Sequence, residues 1–454
     1  MLTQYANPSA LKKILLLEDN EERIAAFEQA VGKLGGEYKV MVWRDASSMI
    51  AGCAAHFTNA ALISLDHDLN PRPGCDEDPG TGLEVAQWLA DHLPACPVLI
   101  HSSNVDRAYS MQNELRFAQW MVDRSGPLGG DTRWIESLWL PRVRQLLAEF
   151  PNTWSATLPA NHEQRVERMM LSFDGLGLGD ALGEMLSYRA ESAPRRLRED
   201  DLPAGPWFHT DDTEMAISIC AVLRSHGFIH QDALAKRFAR RFEREPDRGY
   251  GGGARRLLQQ IIRGADWRTA APASFGGEGS MGNGSAMRIA PLGAYFADDL
   301  KRCASEAAAS AVVTHAHPEG VAGAVAVAIA AAMAWQCREE PTRSFWGEIL
   351  RWTPESAVRR KILLASQVPS GTAGHEVTGA LGNGSLVTAP DTVPFCLWIA
   401  ANYRDDYVKA LGETIRVHGD CDTNAAIVGG IVALSVGRQG LPSAWLKARE
   451  HVVI

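Results

Sequence analysis

The hydrophobic periodicity of the chain changes once, and this change separates two parts of different fold class. In the first part, short apolar runs at 14–17, 61–65 and 97–100 alternate with segments of helical spacing at 21–31 and 83–93. Apolar strands separated by amphipathic helices build parallel sheets that are covered on both faces. We therefore expect an N-terminal α/β domain with a flavodoxin-like parallel sheet.

The second part is rich in Ala, Gly and Leu, and its helical segments are separated by glycine-rich loops. These helical segments are 216–225, 232–243, 302–313, 321–335, 393–401 and 424–434. The pattern predicts an all-α bundle. A chain of 454 residues is longer than a typical domain with one hydrophobic core. We therefore place the α/β domain at 1–150, a linker at 151–163 and the all-α domain at 164–454.

Composition and charge argue against several classes of partner. A formal net charge of −9 argues against bulk nucleic-acid binding, although backbone amides and a metal ion can still hold a small nucleotide. The very apolar segment 321–335 is short for a membrane span and predicts a buried helix instead. Eight scattered cysteines without a CxxC pair, and an N-terminus without an apolar signal region, predict reduced thiols in a cytoplasmic protein.

Two clusters of acidic and hydroxyl side chains precede predicted helices of the second part. Their members are Thr210, Asp211, Asp212, Asp420, Asp422 and Thr423. One interpretation is helix capping, with acids in the first turn. The other is a metal centre, because an all-oxygen set suits Mg²⁺ or Mn²⁺. Asp211 and Asp212 diverge by roughly 100° around a helix, which suits two neighbouring ions.

A glycine-rich helical segment upstream carries two further acids. Gly179, Ala181 and Gly183 permit close approach of another helix or a ligand. Asp180 and Glu184 are four residues apart and share a helical face. Glu184 is a candidate general acid/base beside the metal, and the alternative is a surface glutamate on a tightly packed helix.

Taken together, these segments resemble the ADP-ribosylglycohydrolase family from about Arg165 to about Gly437. The resemblance is carried, in order, by GLGLGDALGE, HTDDTEMAISI, GNGSAMRIAPLG, THAHPEG, DTVPFCLW and HGDCDTNAAIVGGI. It implies a compact all-α bundle with two Mg²⁺ ions, or Mn²⁺, at its mouth. The metal ligands it implies are Thr210, Asp211, Asp212, Asp420, Asp422 and Thr423.

The resemblance also implies a substrate loop and a set of catalytic groups. The loop that would wrap the diphosphate and ribose consists of Gly282, Asn283, Gly284 and Ser285, with His315 as a further substrate contact. The alternatives are a simple turn and a helix-end structural histidine. The implied catalytic residues are Glu184, Asp211 and Asp422. The family usually places its glutamate about two turns after the GD pair, where this chain has Ser187.

The implied reaction is hydrolysis at the anomeric carbon of an ADP-ribose-containing small molecule or an ADP-ribosylated macromolecule. A retained fold without activity, serving as an ADP-ribose-binding module with a degenerate regulatory receiver domain, is the alternative. We expect substrate specificity in a loop over 245–279, whose alternative is a plain connector.

Polar side chains gather at the ends of the predicted strands in the first part. They are Glu18, Asp19, Asp66, His67, Asp68, His101, Ser102 and Asn104. Their order resembles the acid pocket of a response-regulator receiver. No lysine occurs between Lys39 and Lys236, so the receiver's switch lysine is missing and phosphorelay signalling is not expected.

The histidines of this set resemble receiver variants proposed to process cyclic phosphates. Paired histidines and acids can supply a general acid and base for phosphoester hydrolysis. The alternative is a degenerate receiver that binds a metal or nothing and serves as a regulatory module.

Overall fold

The computed structural model describes residues 12–71, 78–92, 94–118, 120–126, 131–149, 158–187, 202–339, 344–369 and 371–452. The chain forms two compact units, Met1–Ala156 and Thr157–Ile454. Most of the predicted linker, residues 151–157, lies outside the described residues, and a helix already begins at His162. The domain boundaries drawn from the sequence stay a prediction.

The first unit is a five-stranded parallel sheet with helices on both faces, as the sequence predicts. Its strands are β1 (Lys12–Leu17), β2 (Tyr38–Trp43), β3 (Ala60–Leu65), β4 (Val98–Ile100) and β5 (Val122–Arg124), in the order β2-β1-β3-β4-β5. Its helices are α1 (Glu21–Gly32), α2 (Ala46–Gly52), α3 (Gly82–Ala90), α4 (Val105–Phe117) and α5 (Leu140–Glu149). Leu15 and Leu17 pack into one apolar cluster, and Ile14 and Leu16 pack into the other. The central strand β1 is therefore buried on both sides, which explains its unbroken apolar run.

Some elements of the first unit differ from the sequence prediction. The helix expected over 83–93 ends at Ala90, because the amide of Asp91 turns back to the carbonyl of Trp88. Strands β2 and β5 were not predicted. Both are edge strands with half-buried residues, so neither has a long apolar run.

The described residues of the second unit form helices and no strands, which confirms the predicted all-α class. The helices up to the middle of the unit are α6 (His162–Ser187), α7 (Asp211–His226), α8 (Gln231–Arg244), α9 (Gly252–Ile262), α10 (Trp267–Ala273), α11 (Gly284–Met287), α12 (Ala290–Tyr295) and α13 (Leu300–Val312). The remaining helices are α14 (Pro318–Glu339), α15 (Phe345–Trp352), α16 (Ala357–Gln367), α17 (Gly374–Leu381), α18 (Ala389–Asn402), α19 (Tyr407–Arg416), α20 (Cys421–Val436) and α21 (Ser443–Ala448).

The long helices α6 and α20 lie against each other at the centre of this unit. A Cβ atom built at Gly179 would overlap the backbone oxygen of Ala425, and one built at Gly183 would lie 2.6 Å from the Cα of Asp422. The glycines of α6 therefore admit a neighbouring helix, and it is α20 rather than a ligand that approaches Gly179 and Gly183. This close approach brings the acids of α6 beside those at the start of α20.

Helix α14 is the buried apolar helix that the sequence predicts. Its Pro318–Arg338 portion is long and apolar enough to cross a membrane, but 83% of its most apolar stretch is buried inside the unit. Small side chains allow this burial, since the residues from Ala322 to Ala334 that face the core are mostly alanine.

The prediction of a loop over 245–279 is wrong for much of that segment. Gly251 is extended and precedes α9, whose Leu257, Leu258 and Ile261 are buried. Helix α10 follows within the same segment. Burial of this apolar face overrides the local flexibility that the glycine run suggests.

Candidate active site

The centre of the candidate site is Asp180 of α6, which was not among the predicted metal ligands. Its carboxylate accepts hydrogen bonds from the amide of Thr210 (3.0 and 3.1 Å), from the Oγ1 hydroxyl of Thr210 (2.8 Å) and from the amide of Thr213 (3.1 Å). The Thr213 hydroxyl donates to it as well. Asp180 therefore fixes the start of α7, where unpaired amides favour a negative charge.

Three carboxylates from three helices converge beside this helix start. One oxygen each of Asp180, Asp212 and Asp422 lie within 4.8 Å of one another. Thr210 Oγ1 and Thr423 Oγ1 lie 3.0 and 3.4 Å from Asp212 Oδ2. Asp212 Oδ1 is buried, and no described residue donates a hydrogen bond to it. A buried, unpartnered carboxylate oxygen inside an acid cluster is an open position for a cation.

The capping interpretation fits one of the two predicted clusters but not the other. Thr210 is the N-cap of α7 and accepts from the amide of Asp212. Asp420 stands at the corresponding position before α20, yet its side chain makes no cap hydrogen bond. Its carboxylate accepts instead from Asn283 Nδ2 at 2.6 Å. Asp420 thereby links the acid cluster to the predicted substrate loop.

Burial and mutual repulsion raise the pKa values of Asp180, Asp211, Asp212 and Asp420. Burial raises the pKa of Asp180 to about 6 and that of Asp420 to about 7, and the charge of Asp422 adds to both shifts. The pKa values of Asp211 and Asp212 lie well above the usual range for the same reasons. A cation that enters the cluster would favour the ionised form of these carboxylates.

The predicted substrate loop lies against a buried histidine. A Cβ at Gly284 or at Gly282 would stand 3.0 or 3.3 Å from His315 Nε2. Ser285 Oγ donates to the carbonyl of Gly320 at 2.8 Å. Burial, together with Arg288, lowers the pKa of His315 to about 3, so its ring is neutral at physiological pH.

The first unit gathers its own charged cluster at the carboxyl ends of β1, β3 and β4. One atom each of Glu18, Asp66 and His101 lie within 4.8 Å of one another, and all three side chains are buried. Arg23 Nη1 lies 3.2 Å from Asp66 Oδ2. Burial opposes ionisation of Glu18, but His101 and the amide of Asn20 lower its pKa, whereas burial raises that of Asp66.

Most remaining strand-end residues meet around Asp68. Its Oδ1 lies 2.6 Å from His67 Nδ1 and 3.5 Å from Asn104 Nδ2. Ser102 Oγ accepts from the amide of Asn104. Asp19 is directed elsewhere, since its Oδ2 accepts from the amide and side chain of Asn70.

Comparison with protein families decides the identity of the second unit. Residues 159–453 match the ADP-ribosylglycohydrolase family over more than half of the chain. The chain belongs to the ADP-ribosylglycohydrolase family. Its N-terminal residues 14–125 match the cyclic-phosphate processing receiver domain. Both resemblances drawn from the motifs are confirmed, and so is the ADP-ribosyl glycohydrolase class that the first of them implies.

Curated relatives align with this ADP-ribosylglycohydrolase domain at modest identity. The ADP-ribosylhydrolase ARH3 of Mus musculus is 27% identical over 311 residues, which cover 61% of this chain and 81% of the relative. The ADP-ribosyl-[dinitrogen reductase] glycohydrolase of Rhodospirillum rubrum is 25% identical over 301 residues, which cover 63% and 92%. A solved structure titled ADP-ribosylglycohydrolase-related protein complex aligns with a TM-score of 0.44 at 25% identity, covering 63% of this chain and 94% of that chain.

Within the glycohydrolase domain, the predicted general base Glu184 is not one of the three converging carboxylates. Glu184 lies one turn beyond Asp180 on α6, is half-buried and is outside the group of three carboxylates. Ser187 Oγ donates to the carbonyl of Glu184. Residues 188–201, which follow α6, lie outside the described part of the chain. The catalytic role of Glu184 stays a prediction.

Sequence reasoning assigned no role in a site to three residues that the geometry makes prominent. Asp180 had a visible signal, because it follows a glycine on the helix that also carries Glu184. Arg288 is the last residue of the GNGSAMR segment, and Arg23 lies in the first turn of α1, five residues after Glu18. No local pattern indicates which side chains the two arginines meet.

Proposed function

We propose that the second unit hydrolyses an ADP-ribosyl linkage at the anomeric carbon of ADP-ribose in the presence of two Mg²⁺ ions, with Mn²⁺ as a substitute. The substrate is an ADP-ribose-containing small molecule or an ADP-ribosylated macromolecule. The observation that carries the proposal is the convergence of Asp180, Asp212 and Asp422 beside the glycine loop. The printed names of the curated relatives support the same reaction.

The donor set fits hard divalent cations. Its candidate ligands are Thr210, Asp211, Asp212, Asp420, Asp422 and Thr423, all oxygen donors of the kind that Mg²⁺ prefers. The unpartnered oxygen of Asp212 and the raised pKa values of the aspartates support cation binding independently. Bound ions would supply electrostatic stabilisation of charge that develops during bond cleavage.

The chain's own residues would position the substrate and move its protons. Asp180 holds the start of α7, so that Asp211 and Asp212 keep their orientation. Asn283 joins the loop to Asp420 and sets the distance between substrate and acids. A water adds to the anomeric carbon as the bond to the leaving group breaks. Glu184 is the proposed acceptor of the water's proton, which then passes to the leaving group.

Release of free ADP-ribose tests this proposal. A panel of ADP-ribosylated proteins, nucleic-acid ends and small molecules is incubated with Mg²⁺ or with EDTA. We expect release from at least one substrate class with Mg²⁺ and none with EDTA. Calorimetric binding of ADP-ribose without release from any substrate would instead support the inactive binding module.

Thermal stability should depend on Mg²⁺ in a pH-dependent manner. Folded Asp180 and Asp420 titrate at about pH 6 and 7, whereas unfolded aspartates titrate near 3.9. Without metal, these groups stabilise the fold most below about pH 4, and that stability is lost as the pH rises through 6 to 7. Since Mg²⁺ binds the ionised form, it should raise Tm by on the order of 5 °C at pH 8 and hardly at pH 5. Scanning calorimetry measures the Tm shift caused by Mg²⁺ at each pH. Equal shifts at pH 5 and pH 8 would contradict the assignment of these aspartates to a metal site.

A second candidate function belongs to the first unit. We propose that its strand-end cluster opens cyclic phosphates, with His67 and His101 as acid and base. The observation that favours it is the burial of His101 against Glu18, at 3.3 Å, beside Asp66 and Arg23. The family match over 14–125 supports the same class of substrate.

Full-length protein that carries Asp212→Asn, which is expected to inactivate the second unit, allows a test of this candidate. We expect opening of ADP-ribose cyclic phosphate or nucleoside cyclic phosphates, and a loss of about 10²–10⁴-fold in His67→Ala or His101→Ala. His56→Gln is the control, because His56 lies before β3 and pairs with Lys13. If the full-length protein opens none of these cyclic phosphates, the candidate function is wrong and the first unit is a regulatory module.

A further inference from the structure

Arg288 is a fully buried cation directly after the substrate loop and has no carboxylate partner among the described residues. Its Nη2 donates to Thr314 Oγ1 at 2.8 Å and to the carbonyl of Ser310 at 3.2 Å. Its guanidinium lies over the ring of Phe238, 4.4 Å from the centroid. Although burial lowers its pKa to about 9, Arg288 remains protonated at neutral pH. Arg288 is therefore a permanent donor to the Thr314 hydroxyl.

The hydrogen atoms of this network have one consistent arrangement. Thr314 Oγ1 lies 2.8 Å from His315 Nδ1 and is already an acceptor for Arg288. In the part of the chain that the structure describes, Nδ1 is the one acceptor within reach of the Thr314 hydroxyl hydrogen. Because Thr314 is 3% exposed, a proton on Nδ1 would leave that hydroxyl hydrogen buried and unpaired. Nδ1 is therefore the acceptor, and the single ring proton resides on Nε2.

We infer that Arg288 and Thr314 hold His315 in the Nε2-protonated tautomer, so that it presents a neutral hydrogen-bond donor at the glycine loop. Nε2 faces Gly282 and Gly284, where an added Cβ would crowd the ring, most closely at Gly284. It has no hydrogen-bond partner among the described residues. The ligand chemistry that matches this donor is an oxygen acceptor of the ADP-ribosyl group, either a diphosphate oxygen or a ribose hydroxyl. This inference rests on the proposed function.

A neutral donor suits this position for an electrostatic reason. Asp420 is joined to the same loop through Asn283, so a charged imidazolium here would compete with cations for the acids. The Arg288 charge, which lies behind the histidine, disfavours protonation of the ring. His315 thus donates to substrate without adding charge to the cluster. Arg288 and Thr314 act through His315 and are positioning residues.

Nitrogen-15 NMR of full-length protein labelled at histidine measures the tautomer directly. His315→Gln identifies the resonances of His315 by difference. We expect an unprotonated Nδ1 and a protonated Nε2 in the metal-free and the Mg²⁺-loaded protein. A protonated Nδ1 would overturn the inference. This measurement needs no turnover, so it stands apart from the hydrolase assay.

Two variants of Thr314 separate positioning from packing. Thr314→Val removes the hydroxyl at nearly constant shape, whereas Thr314→Ser keeps it. We expect ADP-ribose affinity in calorimetry, and KM, to worsen roughly tenfold in Thr314→Val with a smaller change in kcat. Thr314→Ser should bind as the parent does and keep the Nε2 tautomer. Equal affinity of the two variants would refute the positioning role. If the parent protein shows the Nε2 tautomer and binds ADP-ribose as expected but releases none from any substrate, only the proposed hydrolase function is refuted.

Discussion

Asp212→Asn is expected to reduce ADP-ribose release by on the order of 10³-fold in kcat/KM. Asp212 contributes the buried, unpartnered Oδ1 and the oxygen that Thr210 and Thr423 approach. An amide in its place removes one negative charge and presents a donor where a cation should bind, which costs several kcal/mol of charge stabilisation. Release of ADP-ribose in Mg²⁺, with titration of the metal from micromolar upward, measures the effect.

Asp299→Asn is the matched control for this variant. Asp299 is an exposed N-cap of α13 that accepts from the amide of Arg302, and asparagine caps a helix equally well. We expect unchanged activity and stability in the control. If Asp212→Asn retained more than a tenth of the parental activity at saturating Mg²⁺, the assignment of the metal centre would be wrong. The double variant Asp211→Ala/Asp422→Ala should be inactive for the same reason.

Gly179→Ala should destabilise the second unit by about 3 kcal/mol and lower its Tm by roughly 6–10 °C. The added Cβ would meet the backbone oxygen of Ala425, which cannot move aside as a side chain can. Helices α6 and α20 must therefore separate. Because Asp180 and Asp422 stand on these two helices, activity should fall as well. Scanning calorimetry of the full chain and the ADP-ribose release assay measure the two effects.

Gly379→Ala makes the same chemical change in another helix of the same unit. Gly379 is exposed in α17, and a Cβ there meets no atom of the described residues within 4 Å. This control should be neutral or more stable by about 0.5–1 kcal/mol, since alanine is the better helix former. Equal stability of Gly179→Ala and Gly379→Ala would show that α6 and α20 do not pack as closely as in the structure.

The two units suggest a joint role for the chain. One unit would release ADP-ribose, and the other would open a cyclic phosphate on a related nucleotide or an RNA-derived product. The Asp212→Asn chain and the His67→Ala chain separate the two activities within one protein. Loss of both activities in either variant would argue against independent sites.

Local patterns in the sequence determined the fold class and the family. The apolar runs of β1, β3 and β4 predicted the parallel sheet, and the Ala-rich helical segments predicted the bundle. The ordered motifs identified the glycohydrolase, and the acids before α7 and α20 indicated where to look for the site. Each of these features depends on hydrogen bonding or burial within a few residues, so a short window of sequence contains it.

Only the tertiary structure decided which of these groups meet. It placed Asp180 beneath Thr210 and Thr213, left Glu184 outside the acid group, and replaced an expected loop with α9 and α10. It also joined Arg288 to Thr314 across 26 residues. Such contacts depend on how closely the helices pack. The glycines of α6, which have no Cβ, allow α20 to approach closely, and the helix propensities of single residues do not determine this distance. Distances between chemical groups far apart in the chain are therefore a property of packing, which sequence periodicity does not record.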